Sequence, residues 1–388
     1  MIIELKGGQA HNLGAQLMLR EALRRISGTL PDVQIAVRQT ALLSAQFRKS
    51  IGALRKMPLR KRNLDLTFLA YGIPSPFLES ALGQELVVES QLDAIVDLSG
   101  FAYGDRWGRA SIIALSAEID RCFKHKKPYI FLPQAYGPFS TIDSGALRKF
   151  SRAIANASVI AIRDESSWLN IERVLTRPSN QPMLIPDITF AVQVEARQYD
   201  CRPVDQNTAV IIPNIRMLES QSYVLGAKSY LTKIMNLATV CRKQGFKPII
   251  LNHGGREDAN LCSYLSRELG DTAVVQPRDP YLAKAMIGSA GVVVSSRYHG
   301  CVAALSQGIP CIATSWTHKY RELFLPFDLD YAVLGVEDAF DCDDERLLRK
   351  LFDDCASRVD ALGAIRRDLI RRVESFWAVV FSALCRAG

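Results

Sequence analysis

The sequence predicts an α/β protein made of two doubly wound, Rossmann-like domains and a helical C-terminal tail. Three observations predict it. Short, continuous apolar runs alternate with helical patterns of roughly 10–15 residues, the signature of buried parallel strands in βαβ units. The alternation stops at a polar, patternless stretch, residues 196–207 (ARQYDCRPVDQN), and then restarts. From about Glu345 to Cys385 the pattern is helical and free of proline. The expected domains are therefore residues 1–198, residues 207–340, and a tail over 341–388.

In order, Ile2–Leu5 reads as a strand, Gly14–Arg25 as a helix and Val33–Val37 as a strand. After a basic stretch follow the strand Asp93–Leu98, a helix from about Trp107 to Lys124, and the strand Tyr129–Leu132. A helix near Ser144–Ala155 and the strand Val159–Ile162 close the first half. The second half opens on Ala209–Ile212 and a helix near Lys228–Lys243. It continues through Pro248–Leu251, a helix near Glu257–Leu269, Ala273–Val275, the helix Pro280–Ile287, Val292–Ser295, the helix His299–Gln307 and Cys311–Ala313. In sheets of this kind ligands sit beyond the carboxyl ends of the strands, so the strand-to-helix loops carry most weight.

Composition excludes several classes. Of 388 residues, 48% are hydrophobic and 23% charged, enough apolar material for a sizeable core and too much for a disordered chain. No apolar run reaches the ~18 residues that span a bilayer, and the N-terminus lacks a signal-peptide pattern, so the expected location is cytoplasmic. Nine cysteines without a C-x-x-C pair argue for reduced structural thiols. Five histidines without H-E-x-x-H or H-x-H spacing argue against a metal site, and the pair Asp328 and Asp330 is a weak D-x-D. No cofactor is expected.

The net charge is +8. It is concentrated between Arg48 and Arg62, where seven basic residues (Arg48, Lys49, Arg55, Lys56, Arg60, Lys61, Arg62) occur without an acid. A solvated basic loop or helix face is the simplest account. The alternative is a peripheral membrane contact, with Ile51, Leu54, Met57 and Leu59 dipping into the interface and Leu64, Leu66, Phe68 and Leu69 adding apolar surface. Interleaved aromatics of the kind that bind single-stranded nucleic acid are missing, so no nucleic-acid partner is expected.

Six loops can carry chemistry. Gly7–Gly14 follows a strand and opens a helix; it matches neither the dinucleotide nor the ATP-binding glycine pattern, and offers His11 and Asn12 as polar groups or as a solvent side chain and an N-cap. Ser99–Asp105 places two glycines and an acid at a strand end, suiting sugar hydroxyls or acid/base work. Leu132–Phe139 is a strand end with a rigid turn that shapes a cleft. Arg163–Ser167 reads as structural, with Asp164 or Ser166 capping a helix. Pro213–Arg216 brings an arginine fork to the first strand end of the second domain. Most informative is Ser295–Cys301, where Arg297 and His299 stand two apart as a helix begins; fixed charge, imidazole and helix N-terminus converge on an anion site. On the same rim lie Trp316–Lys319.

Together these segments resemble the polysaccharide pyruvyl transferase family. The resemblance rests on G-x-x-x-x-N-x-G from Gly7 to Gly14, Gln134–Pro138, Arg163–Ser167, Pro186-Asp187, and Asn214-Ile215-Arg216. Above all it rests on Arg297-Tyr298-His299, followed by Ala304–Pro310 and Lys319. It covers roughly residues 1–325 in the right order. Ala15 departs from it, since many relatives carry an acid there, and SGFAYGD is poorer in glycine than usual.

The resemblance implies a GT-B-like pair of domains, with the acceptor on the N-terminal and the donor on the C-terminal side. It implies transfer of the enolpyruvyl part of phosphoenolpyruvate onto two sugar hydroxyls, giving a cyclic ketal and phosphate in cell-surface polysaccharide synthesis. Arg216, Arg297 and His299 would then bind the donor, with Tyr298, Asn12 and Asn214 as further substrate contacts. His299 or Lys319 would be the general acid and His11 or Asp105 the base. The acceptor would be a glycan, lipid-linked in many pathways, which places the protein at the inner membrane face. Two alternatives remain: a glycosyltransferase using a nucleotide sugar, with Glu257 or Asp258 on the ribose, and an inactive glycan-binding relative.

Overall fold

The computed structural model describes residues 1–61, 64–83, 85–176, 178–219, 224–315, 319–335 and 343–386. The chain divides into two compact units. The first comprises Met1–Ala10, Met18–Ile188 and Arg372–Gly388, and the second His11–Leu17 and Thr189–Arg371.

The first unit begins with β1 (Ile2–Lys6), α1 (Leu13–Thr29), whose first five residues go with the second unit, and β2 (Gln34–Arg38). It continues with α2 (Ala45–Ser50), β3 (Leu54–Lys56) and a hairpin of β4 (Arg60–Lys61) and β5 (Leu64–Asp65). Then come α3 (Thr67–Ala70), α4 (Ser75–Leu82), β6 (Leu86–Val87), β7 (Ala94–Asp97), α5 (Gly108–Lys124), β8 (Tyr129–Gln134), α6 (Ser144–Ile154), β9 (Val159–Ile162), α7 (Glu165–Glu172) and β10 (Met183–Leu184). Eight parallel strands form one sheet in the order β10-β9-β8-β7-β1-β2-β3-β6. The chain moves outward from β1 in one direction through β2 and β3 and in the other through β7, β8 and β9. The switch point lies between β1 and β7, which run with Lys6 opposite Asp97 at their carboxyl ends.

The second unit runs β11 (Thr208–Ile212), α8 (Arg216–Glu219), α9 (Val224–Lys243), β12 (Lys247–Leu251), α10 (Ala259–Glu268), β13 (Val274–Val275) and α11 (Pro280–Ser289). It closes with β14 (Val292–Ser295), α12 (Tyr298–Gln307), β15 (Cys311–Ser315), α13 (Lys319–Phe324) and β16 (Val333–Gly335). Six parallel strands order as β13-β12-β11-β14-β15-β16, so the switch point falls between β11 and β14, with Ile212 opposite Ser295. Strands such as VVVS and AVII are buried throughout because helices cover both faces of a parallel sheet.

The tail is α14 (Asp344–Ser357) and α15 (Val359–Cys385). Leu362 and Leu369 of α15 join the core of the second unit. Val373, Phe376, Trp377, Val380 and Leu384 are buried at the helix's far end, where Arg25 pairs with Glu374 and Arg372 donates to the Leu184 carbonyl. An apolar residue every third or fourth position makes this face continuous along the helix.

The basic stretch departs from the expected solvated face at Arg48 and Lys56, while Lys49 and Arg55 are exposed. Arg48 is 5% and Lys56 7% exposed. Arg48 donates to the Ala53 carbonyl and to Glu85, and Lys56 is the last residue of an interior strand, held by Glu4 and Glu118. Strands of two or three residues, β3 and β6 among them, show no period long enough to be seen in the sequence. Arg62 lies outside the described residues, as do Trp316, Thr317 and His318.

Candidate functional site

The strand ends of the second unit gather most of the residues singled out by the sequence. Asn12 accepts a hydrogen bond from Ala15 N (2.8 Å), so it is the N-cap of α1, and its amide nitrogen lies 3.2 Å from His11 Nε2. Leu13 N donates to the His253 carbonyl (3.1 Å), which ties this first loop to the end of β12. The His299 ring lies directly against Gly14: a β-carbon there would fall 2.3 Å from it, so only glycine leaves room for the imidazole.

Arg297 precedes α12 and is clamped by Asp258, Nε to Oδ2 at 2.8 Å and Nη2 to Oδ1 at 2.6 Å. Asp258 is fully buried and also accepts from Ile215 N. The clamp fixes the guanidinium plane, and pairing with Asp258 outweighs the burial that works against its charge. Gly254 is required beside it, since a β-carbon would lie 2.1 Å from Asp258 and 2.3 Å from Arg297.

The second carboxylate, Glu257, is held at arm's length. It lies 3.6 Å from Arg216, 3.7 Å from Arg297 and 3.8 Å from His11. Three cationic or protonatable groups thus surround one partly exposed carboxylate without making a short hydrogen bond to it. Burial, with Arg297 and Arg216 adding and Glu257 opposing, lowers the His11 pKa, so the ring is neutral at pH 7. His253, 5% exposed, is pushed to about 3 by burial and by the neighbouring Arg297 and His299. Nδ1 of His11, Nδ1 of His253 and Oδ1 of Asn252 are buried without a hydrogen-bond partner among the described residues. Such orphans are uncommon and mark a place where a ligand or water belongs.

Other expected contacts have structural work. Asn214 is buried; its amide nitrogen donates to the Ser296 carbonyl (3.0 Å) and its oxygen accepts from Arg216 N (3.0 Å). It locks the ends of β11 and β14 together and positions Arg216, with Tyr230 and Thr314 completing the net through the Ser296 hydroxyl. Tyr298 is 9% exposed and packs edge-on against His299 and Tyr320, while Lys319 Nζ lies 5.4 Å from its ring centre. His253 is not among the residues the sequence singles out; the signal it offers is the H-G-G run one residue beyond an apolar strand.

Asp105 belongs to the first unit. Its two oxygens accept four hydrogen bonds, from the backbone and hydroxyls of Ser140 and Thr141, at 2.8–2.9 Å. Slight burial opposes them, yet these bonds hold its carboxyl below the usual range. Asp105 therefore braces two loops, and a proton acceptor with every lone pair engaged is a poor base. Arg163 and Asp187, distant pieces of the sequence pattern, form a buried ion pair at 3.1 Å, and Asp164 caps α7.

The first unit's switch point holds charges that the sequence does not reveal. Asp97, completely buried, accepts from the hydroxyls of Tyr103 (2.5 Å), Tyr129 (2.8 Å) and Ser99 (2.6 Å) and from the Gln134 amide (3.0 Å). Lys6 binds Glu118 (2.6 Å) and Lys56 binds Glu4 (2.5 Å) and Glu118 (3.0 Å). Burial raises Glu4 to about 7 against the pull of Lys56. This network floors an open cavity of about 420 Å³, whose walls include Trp107, Arg38 and Arg60. Among the described residues no three His, Cys, Asp or Glu side chains are placed to hold a metal ion. Asp328 is tied to Arg358.

Comparison with known proteins follows the same lines. The fold is similar to a UDP-GlcNAc 2-epimerase from Neisseria meningitidis (TM-score 0.56, 10% identity, 100% of both chains covered). It is also similar to a spinosyn rhamnosyltransferase complexed with thymidine diphosphate (TM-score 0.54, 12% identity, 98% of this chain and 99% of that). A third likeness is an Arabidopsis thaliana protein complexed with UDP-L-rhamnose (TM-score 0.54, 12% identity, 100% and 98%). At these identities the likeness is one of fold, the GT-B arrangement of two parallel-sheet domains. No curated protein matches. The sequence profile of the family described as "Polysaccharide pyruvyl transferase" matches residues 12–318, from the capping asparagine of α1 to the residue before α13. The chain belongs to the polysaccharide pyruvyl transferase family.

Proposed function

We propose that the chain transfers pyruvate from phosphoenolpyruvate to two hydroxyls of a glycan sugar, with the donor bound at the second unit's strand ends. The observation that carries this reading is the Glu257 carboxylate poised among Arg216, Arg297 and His11 at 3.6–3.8 Å. A donor with about three negative charges near neutral pH would take that place, gaining short charge-assisted bonds that Glu257 does not make. The start of α12, a ten-residue helix, adds a favourable dipole.

In the reaction, C3 of the enolpyruvyl group takes a proton while a sugar hydroxyl attacks C2 and loses its own. Phosphate then leaves with the C2–O bond pair, and the second hydroxyl closes the ring on C2, giving up its proton to the departing phosphate. His299 and Lys319 are the candidate acids. Neutral His11 is the better base, because Asp105 is engaged elsewhere. Each proton transfer contributes ~10²–10⁴-fold. The acceptor side falls to residues 1–198 and the donor side to 207–340.

Isothermal titration with phosphoenolpyruvate tests the donor site. Arg297→Ala should weaken binding by about 1.5–3 kcal/mol, roughly 10–150-fold. Glu257→Gln should tighten it several-fold by removing the internal competitor. If Glu257 instead holds a nucleotide ribose, the same substitution weakens binding of a nucleotide sugar and leaves phosphoenolpyruvate unbound, which overturns the proposal. Turnover is read by mass spectrometry of lipid-linked oligosaccharides for an added ketal.

A further inference from the structure

The excursion between β3 and β6 carries the largest run of exposed apolar side chains in the described structure. Leu64, Leu66, Phe68, Leu69, Ile73 and Phe77 are each between 40% and 70% exposed. Their inner neighbours are not: Thr67 and Ala70 are buried, and Ala70 packs with Leu78 and Val88 in a small core of its own. Tyr71 stacks on His125 with ring centres 4.0 Å apart and donates to Glu89. Successive tight turns (Leu69 N to Leu66 O, Tyr71 N to Phe68 O, Ile73 N to Ala70 O, Phe77 N to Pro74 O) hold the segment in a compact coil. It is therefore a braced platform with an apolar outer face, where isolated exposed leucines would need no explanation.

Charge identifies what the face meets. From Arg48 to Phe77 there are seven basic residues and one acid, Asp65. That acid is turned inward, bonded to Thr67 N and to Arg121. Lys49 and Arg55, earlier in the same stretch, are exposed. The stacked His125 brings the exposed Phe123, Lys124 and Lys126 alongside. Large aliphatic and aromatic side chains, with exposed Lys49, Arg55, Lys124 and Lys126 in the neighbouring segments and with the exposed Glu85 of the same excursion paired to Arg48, suit an anionic lipid surface.

We propose that the segment Leu64–Phe77 is a peripheral membrane-docking surface that seats the first unit on anionic bilayers. Its anchor is this apolar face, not Arg48 and Lys56, which are engaged inside the unit. No described helix is long and apolar enough to cross a membrane, so the attachment is superficial. Met57, Leu59, Arg60 and Thr67 of the same excursion also line the 420 Å³ cavity. Docking would thus bring that cavity's wall to the lipid headgroups.

The test is co-sedimentation of the full chain with phosphatidylglycerol-containing and with pure phosphatidylcholine vesicles, without donor or acceptor. The parent should sediment with the anionic vesicles and lose affinity as salt rises. Phe68→Ser with Phe77→Ser should weaken binding by roughly tenfold per side chain, at unchanged thermal midpoint because both are exposed. Lys49→Gln with Arg55→Gln should weaken it less and flatten the salt dependence. A parent that stays in the supernatant at low salt overturns the proposal. So does a double-serine variant that binds like the parent, or one that turns a dimer into a monomer in the absence of vesicles. Since no transfer is measured, each of these three failures leaves the donor-site reading standing.

Discussion

The two parallel sheets switch direction in the same way and fill the switch point differently. At the first, between β1 and β7, the charges satisfy one another: Lys6 and Lys56 meet Glu4, Glu118 and Asp97 within 2.5–3.4 Å, and the tyrosines complete Asp97. At the second, between β11 and β14, one arginine is clamped, one carboxylate hovers beyond hydrogen-bond distance, and Nδ1 of His11, Nδ1 of His253 and Oδ1 of Asn252 lack partners among the described residues, where the first cluster has Oε1 of Gln134. The difference separates a polar cluster paired within itself from the proposed donor site. Charge content is similar in both. What differs is how much of it is already paired.

The largest effect expected from breaking this comparison is at Lys56. Lys56→Ala strands Glu4, Glu118 and Glu89 in a buried setting, and should cost roughly 3–5 kcal/mol of stability by urea unfolding. Phosphoenolpyruvate affinity of the folded fraction should not change. A loss below about 1 kcal/mol would show that the first cluster is not the self-paired network described.

A smaller effect follows from His253. Its folded pKa lies near 3 against 6.5 for an ordinary imidazole, so between these values the unfolded chain binds a proton that the native state refuses. Stability is therefore full above pH 6.5 and is lost as pH falls toward 3, by about 2 kcal/mol between pH 7 and 5. His253→Gln should flatten that part of the curve. An unaltered pH slope in the variant would mean that the imidazole is solvated in the native protein.

The smallest effect is expected at Asp105. Its four hydrogen bonds are exposed and brace Ser140 and Thr141, so Asp105→Ala should cost about 1 kcal/mol or less in thermal or urea unfolding. Donor affinity and the pH dependence of turnover should stay as in the parent. Turnover that collapses with its alkaline-side plateau would restore Asp105 as the base.

Much of the fold is determined by the sequence alone. Runs such as VVVS, YIFL and AIVD, each followed by a helical pattern, have a period that local backbone geometry imposes, so their order and class are legible residue by residue. The loop bearing Arg297 and His299 is legible too, because a strand end, a cation and a helix start lie within six positions. Only the tertiary structure decides the rest. Arg163 finds Asp187 across 24 positions, Arg297 finds Asp258 across 39 and Lys56 finds Glu4 across 52. Nothing in a local pattern says which opposite charge will be met, or that Lys56 is buried while Lys49 is not. Short strands such as β3 acquire their conformation from the neighbours they pair with. Gly14 closes a glycine pattern in the sequence, but the reason it must be glycine appears only where the His299 ring is packed against it. Pairing energy depends on distance and burial, and both belong to the folded chain.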